Sequence, residues 1–161
     1  MSDPLQKEPN SLQKEPGSVK TAPEAIKTEI GCLTVDAYCA LVEAVGWQRR
    51  SHRDASLLLS NAIVTVVAIK NGVAVGMGRA SGDGQSYAHL TDIAVHPDFR
   101  GQRIGSAILK ALLDEIDNLS GAQAVVTLNT EASKIGFYAR FGFVRSETPT
   151  FLVRPRLLGS A

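Results

Sequence analysis

The stretch "HPDFRGQRIGSAILKALL", residues 96–113, decides how the rest of the chain is read. A polar loop carrying Gly101 and Gly105 runs straight into apolar positions at helical spacing, and residues 87–95 before it read as a strand. Strand, glycine loop and helix start together make an anion site. The first amides of a helix have no partner within it, and the helix dipole adds roughly half a positive charge there. Without a Cβ, the two glycines let a phosphate approach those amides. The spacing is neither G-x-G-x-x-G nor G-x-x-x-x-G-K-[ST], and no second acidic strand end offers itself to Mg²⁺, so dinucleotide and P-loop readings fail. From the loop alone, an ordinary tight turn into a glycine-entered helix stays open.

Outward from this loop the periodicities are clear. Ile104, Ile108, Leu112 and Ile116 place one apolar face on a helix from Ile104 to about Leu119. Upstream, "AIVTVVAIKNGVAVGMGRA" (62–80) is two β-branched runs around Asn71-Gly72, a hairpin signal. "SGDGQS" (81–86) is a turn leading to the strand "YAHLTDIAV" (87–95). Thr34 is placed to cap a helix carrying Tyr38, Leu41, Val42 and Val45 and ended by Gly46; a second short helix is expected from about Asp54 to Asn61. Downstream, 122–129 reads as a buried strand, 131–142 as a helix ended by Gly142, and 143–153 as two short strands around Pro149. The order α α β β β α β α β indicates a mixed α/β domain, assigned to residues 29–155.

The first residues repeat themselves, LQKEP at 5–9 and again at 12–16, and carry almost no large apolar groups. Residues 1–28 are therefore expected to be a disordered tail, and 156–161 a short C-terminal one. With 17 Lys+Arg against 16 Asp+Glu, nothing global attracts nucleic acid or an anionic membrane. Cys32 and Cys39 lack metal-pair spacing, and Cys39 falls on a helix's apolar stripe, so reduced thiols and a cytoplasmic location are expected. No metal site is expected, and the protein is expected to be a monomer or homodimer.

Arg100-Gly101-Gln102-Arg103-Ile104-Gly105 resembles the R/Q-x-x-G-x-G/A acetyl-CoA motif of GNAT-type N-acetyltransferases, and "FYARFGF" (137–143) is similar to that family's later FY-x-x-x-GF element. The resemblance spans roughly residues 31–153. "VGMGRASGDGQSYAHLTDIAV" further resembles the stretch before the motif in plant-type serotonin and related arylalkylamine acetyltransferases. It implies the GNAT fold: a central, mostly antiparallel sheet flanked by helices and splayed between the strands at 87–95 and 122–129. It also implies acetyl-CoA as co-substrate, held by Arg100, Gly101, Gln102, Arg103, Ile104, Gly105 and Ser106, with the pantetheine arm pairing along Ile93, Ala94 and Val95. Arg103 stands where the family usually has glycine; a helical φ is expected there.

Acetyl transfer needs a neutral amine. A primary alkylamine, with pKa near ~10.4, is only about 1 part in 10³ neutral at pH 7, a penalty of roughly 4–5 kcal/mol. His89, Thr91 and Asp92 are the candidate bases on one strand; His89 is preferred, acting directly or through water, with Asp92 next. Tyr138 is the candidate acid for the leaving thiolate. Trp47 and Tyr87 could line an amine pocket or simply fill the core; Arg79 and Asp83 could order the loop beside it or merely hold a turn. The implied activity is direct acetyl transfer from acetyl-CoA to a small primary amine of arylalkylamine or polyamine type. A protein N-terminal or lysine acetyltransferase and a non-catalytic acyl-CoA-binding module are the alternatives.

Overall fold

The structure, a computed structural model, describes residues 25–146. Five strands form one sheet in the order β1(Lys27–Ile30), β2(Val64–Lys70), β3(Val73–Gly82), β4(Tyr87–Val95), β5(Val125–Leu128). The first four pair antiparallel; β4 and β5 are parallel. Helices α1(Val35–Ala44) and α2(His52–Ser60) cover one face and α3(Ile104–Ser120) the other; α4(Ile135–Ala139) follows β5.

Local chemistry explains the punctuation. Thr34 accepts from the amide of Ala37 at the start of α1, and Ser51 caps α2 through the amide of Asp54, so α2 begins two residues ahead of expectation. Asn71 and Gly72 both take positive φ (51° and 74°), as a tight primed hairpin turn requires. The β3–β4 turn is organised by one carboxylate: Asp83 accepts from the amides of Gln85, Ser86 and Tyr87 and from the Ser86 hydroxyl.

The core has two parts. Ile104, Ile108, Leu109, Leu112 and Ile116 of α3 bury against Val64, Val66, Ala68 and Leu90; on the other face Tyr38, Leu41 and Val42 of α1 meet Val67, Met77 and Ala94. Each such large apolar side chain contributes about 1.5–3 kcal/mol before ordering entropy is set against it. Two glycines let α3 lie this close. A Cβ on Gly76 would stand 2.8 Å from Ile108 Cδ1, and one on Gly78 2.7 Å from Ile108 Cγ2.

The expected splay is present. Parallel pairing runs from Tyr87↔Val125 to Leu90↔Leu128 and stops. Just beyond, β4 bulges: Arg79 faces Thr91 and Met77 faces Ala94, leaving Asp92 and Ile93 opposite Gly78 alone, with Asp92 at φ 53°.

Three expectations change. Lys27 and Thr28, assigned to the tail by composition, belong to β1, an edge strand whose ladder partner β2 lies almost 40 residues on. The helix expected over 131–142 is a 3₁₀ turn at Ala132–Lys134 followed by the single-turn α4. Residues 143–146 carry no strand; the rest of the expected terminal strands, the 155/156 boundary and the LQKEP repeats lie outside the described residues. No helix among the described residues is long and apolar enough to cross a membrane.

Candidate active site

Where β4 and β5 part, a cavity of about 850 Å³ opens. Residues 89–95 form one wall and residues 128–131 with Phe137 and Tyr138 the other; Trp47 closes one side, and Arg100 and Gly105 lead away toward α3. The candidate base and the candidate acid thus share one space.

At the α3 end lies a second recess of about 350 Å³, lined by Arg100, Gly101, Arg103, Gly105, Ser106 and Arg140 among others. Among the described residues, no amide from 101 to 106 donates to a backbone carbonyl or side chain. Those donors are left for an anion, and three guanidinium groups line the same recess. The two glycines have different reasons to be there. Gly101 needs its left-handed backbone (φ 78°); Gly105 is a matter of proximity, with a Cβ meeting Phe137 Cζ at 3.6 Å and Val95 Cγ2 at 3.7 Å. Gln102 is turned aside, its side-chain oxygen accepting from Lys70 Nζ at 2.8 Å. Arg103 departs from expectation: its φ is 61° and ψ 13°, left-handed. A glycine would hold that conformation at no steric cost, whereas arginine gives up about 1 kcal/mol or more to keep it.

His89 is held by its ring. Nδ1 lies 2.8 Å from Thr127 Oγ1, and the Tyr87 hydroxyl lies 2.8 Å from the same oxygen. If both donate to Thr127, its two lone pairs are filled and His89 Nε2 carries a free lone pair. Thr127 reaches this place because β5 pairs it directly with His89. Nothing in the sequence around Thr127 signals this, since the contact depends on strand register.

Asp92 is committed elsewhere. Its Oδ2 accepts from Arg79 Nε at 2.8 Å and from the Tyr38 hydroxyl at 3.3 Å. The Arg79 and Asp92 side chains are only 10% and 17% exposed, so this is a largely desolvated ion pair. Burial, reinforced by the Asp92 charge, raises the Tyr38 hydroxyl above the ordinary tyrosine range. Arg79 orders the bulge through this pair rather than through the Asp83 turn.

Tyr138 sits on α4 with its ring edge-on to Phe137, centroids 4.9 Å apart. Burial pushes its phenol above the ordinary range, and a hydrogen bond with Thr130 pulls weakly the other way. The protonated form, the one that donates, is favoured. Trp47 is not core: 43% exposed, it lines the cavity beside a smaller recess. Tyr87, also exposed, serves Thr127 rather than the cavity wall. Thr91 lines the cavity, but its hydroxyl is buried without a partner among the described residues. Arg140 and Thr130 escaped the sequence reading, because Arg140 occupies an unspecified position of the FY-x-x-x-GF element and Thr130 belongs to no quoted motif.

Residues 33–143 match the acetyltransferase (GNAT) family. The chain is 28% identical over 109 residues to an uncharacterized N-acetyltransferase, ycf52, of Pyropia yezoensis, covering 65% of this chain and 62% of that protein. It is 31% identical over 103 residues to the chloroplastic GCN5-related N-acetyltransferase 1 of Arabidopsis thaliana, covering 63% of this chain and 51% of that one. The chain thus spans somewhat over half the length of these relatives. Among solved structures, SA2161 of Staphylococcus aureus, a protein of unknown function, superposes with TM-score 0.71 at 29% identity, over 81% of this chain and 100% of that one.

Proposed function

The chain belongs to the acetyltransferase (GNAT) family, and from that premise we propose that it moves an acetyl group from acetyl-CoA directly to the primary amine of a small molecule. One observation carries this reading. The recess beside the unspent amides of residues 101–106 adjoins the cavity walled by His89 and Tyr138, the two sharing Val95, Arg100, Gly105 and Phe137.

Acetyl-CoA supplies an activated acetyl: a nitrogen–carbon bond forms, the carbon–sulfur bond breaks, one proton leaves the amine and one reaches the thiolate. The residues serve those events separately. Amides 101–106, with Arg100 and Arg103, bind the phosphates. Ile93, Ala94 and Val95, beyond the bulge, offer backbone to the pantetheine arm, and an amide near Val95 faces the thioester oxygen. His89 Nε2 takes the amine proton, with Thr127 fixing the tautomer. Tyr138 gives a proton to the sulfur; because burial raises its phenol, the transfer to thiolate is more uphill than between the free groups. Asp92 serves as a positioning residue through Arg79 rather than as the base.

Within small amines, the uncovered Trp47 ring favours an arylalkylamine over a polyamine. A cytoplasmic location rests only on the reading of reduced thiols, and it stands beside the chloroplast in the Arabidopsis relative's name. The reading is tested by following thiol release from acetyl-CoA with a panel of amines at pH 7 to 9. Turnover that collapses in His89→Ala supports it; no turnover with any amine overturns it.

A further inference from the structure

The acceptor end of the cavity has a charge pattern of its own. A recess of about 260 Å³, lined by Tyr38, Val42, Trp47, Gln48, Arg50 and Asp92, adjoins the main cavity and shares Trp47 and Asp92 with it. The ionisable groups on these walls can be matched one against another. Asp92 is paired with Arg79 at 2.8 Å, and Glu131 with Lys134 at 3.4 Å. Tyr38 and Tyr138 are neutral phenols at neutral pH, burial raising both above the ordinary range. Two cations remain. Arg100 also lines the phosphate recess and belongs to that end. Arg50 lies at the other end, in no ion pair among the described residues, its guanidinium hydrogen-bonded to the neutral Tyr38 hydroxyl. Asp54, on a neighbouring recess with Arg50, is engaged by the Ser51 hydroxyl and amide hydrogen bonding that caps α2.

The acceptor wall therefore presents a part-exposed indole and a guanidinium with no carboxylate partner, and no carboxylate without a cation. A polyamine would bring its second ammonium toward a cation. An apolar amine with an acid at its far end would lay its body on Trp47 and its acid on Arg50. From this we infer that the physiological acceptor is an aromatic amine carrying a carboxylate remote from the reacting nitrogen, read by Arg50. The inference rests on the small-amine reading above and specifies its substrate class. A planar guanidinium suits a carboxylate because two parallel hydrogen bonds fix both distance and direction.

The test is a matched pair. Phenethylamine and 4-(2-aminoethyl)benzoate differ by one carboxylate at the ring end; spermidine is the polyamine comparator. Each is assayed by thiol release from acetyl-CoA with the full chain. The carboxylate-bearing amine should have kcat/KM at least about tenfold above phenethylamine, the gain expected from a charge-assisted bidentate contact. Arg50→Gln should bring the pair to parity, the carboxylate-bearing amine losing its advantage in kcat/KM, with Tm read in parallel to show that the variant is folded. Arg49→Gln, which removes a guanidinium already paired with Glu43, should leave the preference intact. Equal turnover of the pair, a preference surviving Arg50→Gln, or spermidine as the best acceptor each overturn the inference and leave the transferase reading standing. Absence of turnover with all three amines and with the wider panel, acetyl-CoA still raising Tm, overturns both.

Discussion

Burial of Tyr138, the proposed proton donor, against Phe137 and Phe143 raises its phenol above the ordinary range, so it stays protonated well past neutrality and is a weaker acid than a free tyrosine. Steady-state kinetics of Tyr138→Phe should show kcat lowered about 10²-fold with little change in the KM for acetyl-CoA, because the ring is kept and only the proton is lost. An unaltered kcat would remove Tyr138 from the mechanism. Arg103 illustrates the opposite situation, a residue whose backbone is unfavourable for its type. Arg103→Gly should raise the urea midpoint, since relief of about 1 kcal/mol of left-handed strain outweighs the extra flexibility glycine brings to the unfolded chain. The same variant should bind CoA more weakly at low ionic strength, having lost a cation from the phosphate recess.

At the scale of elements, the site depends on contacts that strands and helices make with little room to spare. α3 rests on β3 at Gly76 and Gly78, and its N-terminus is thereby aimed at the cavity. Gly78→Val would drive a branched side chain into Ile108 and Leu112, both fully buried, and should cost roughly 1–3 kcal/mol in denaturant unfolding. The β3–β4 turn is held by Asp83, whose four hydrogen-bond donors keep its carboxyl well below the usual carboxylate range. A depressed folded value contributes stability that is intact above the unfolded carboxylate's range and is lost as pH falls through it toward the folded value. Asp83→Ala should therefore lower Tm at pH 7 and flatten the fall in Tm between about pH 5 and pH 2, measured by calorimetry in parallel with the parent chain. An identical acid profile would mean the turn does not depend on this carboxylate.

For the whole molecule, the splayed sheet opens a cavity walled by His89 and Tyr138 beside a second recess lined by Arg100, Arg103 and Arg140, which the proposed function assigns to the reacting groups and to the phosphates. Ligand occupying them should stabilise the fold by linkage. Acetyl-CoA at about 100 times its Kd should add about 2.7 kcal/mol, seen as a rise in Tm that shrinks as salt screens the phosphate contacts. A salt-independent rise would place the binding elsewhere than the arginine-lined recess.

The sequence by itself determined the parts whose information is local. The Asn71-Gly72 hairpin, the four-residue apolar repeat of α3, the Thr34 cap and the glycine loop all rest on neighbours in the chain, and the motif spacing around them carried the family likeness. The tertiary structure alone decided the rest. β1 is a strand because β2 supplies its ladder. Thr127 orients His89 because parallel register sets them side by side. Asp92 meets Arg79 at the bulge in β4, where two residues face one on β3. Arg103 adopts a glycine's left-handed conformation at the N-cap of α3, which its side chain does not favour. The β1, Thr127 and Asp92 cases are contacts between separate segments, where pairing geometry and burial override the preference of the individual residue.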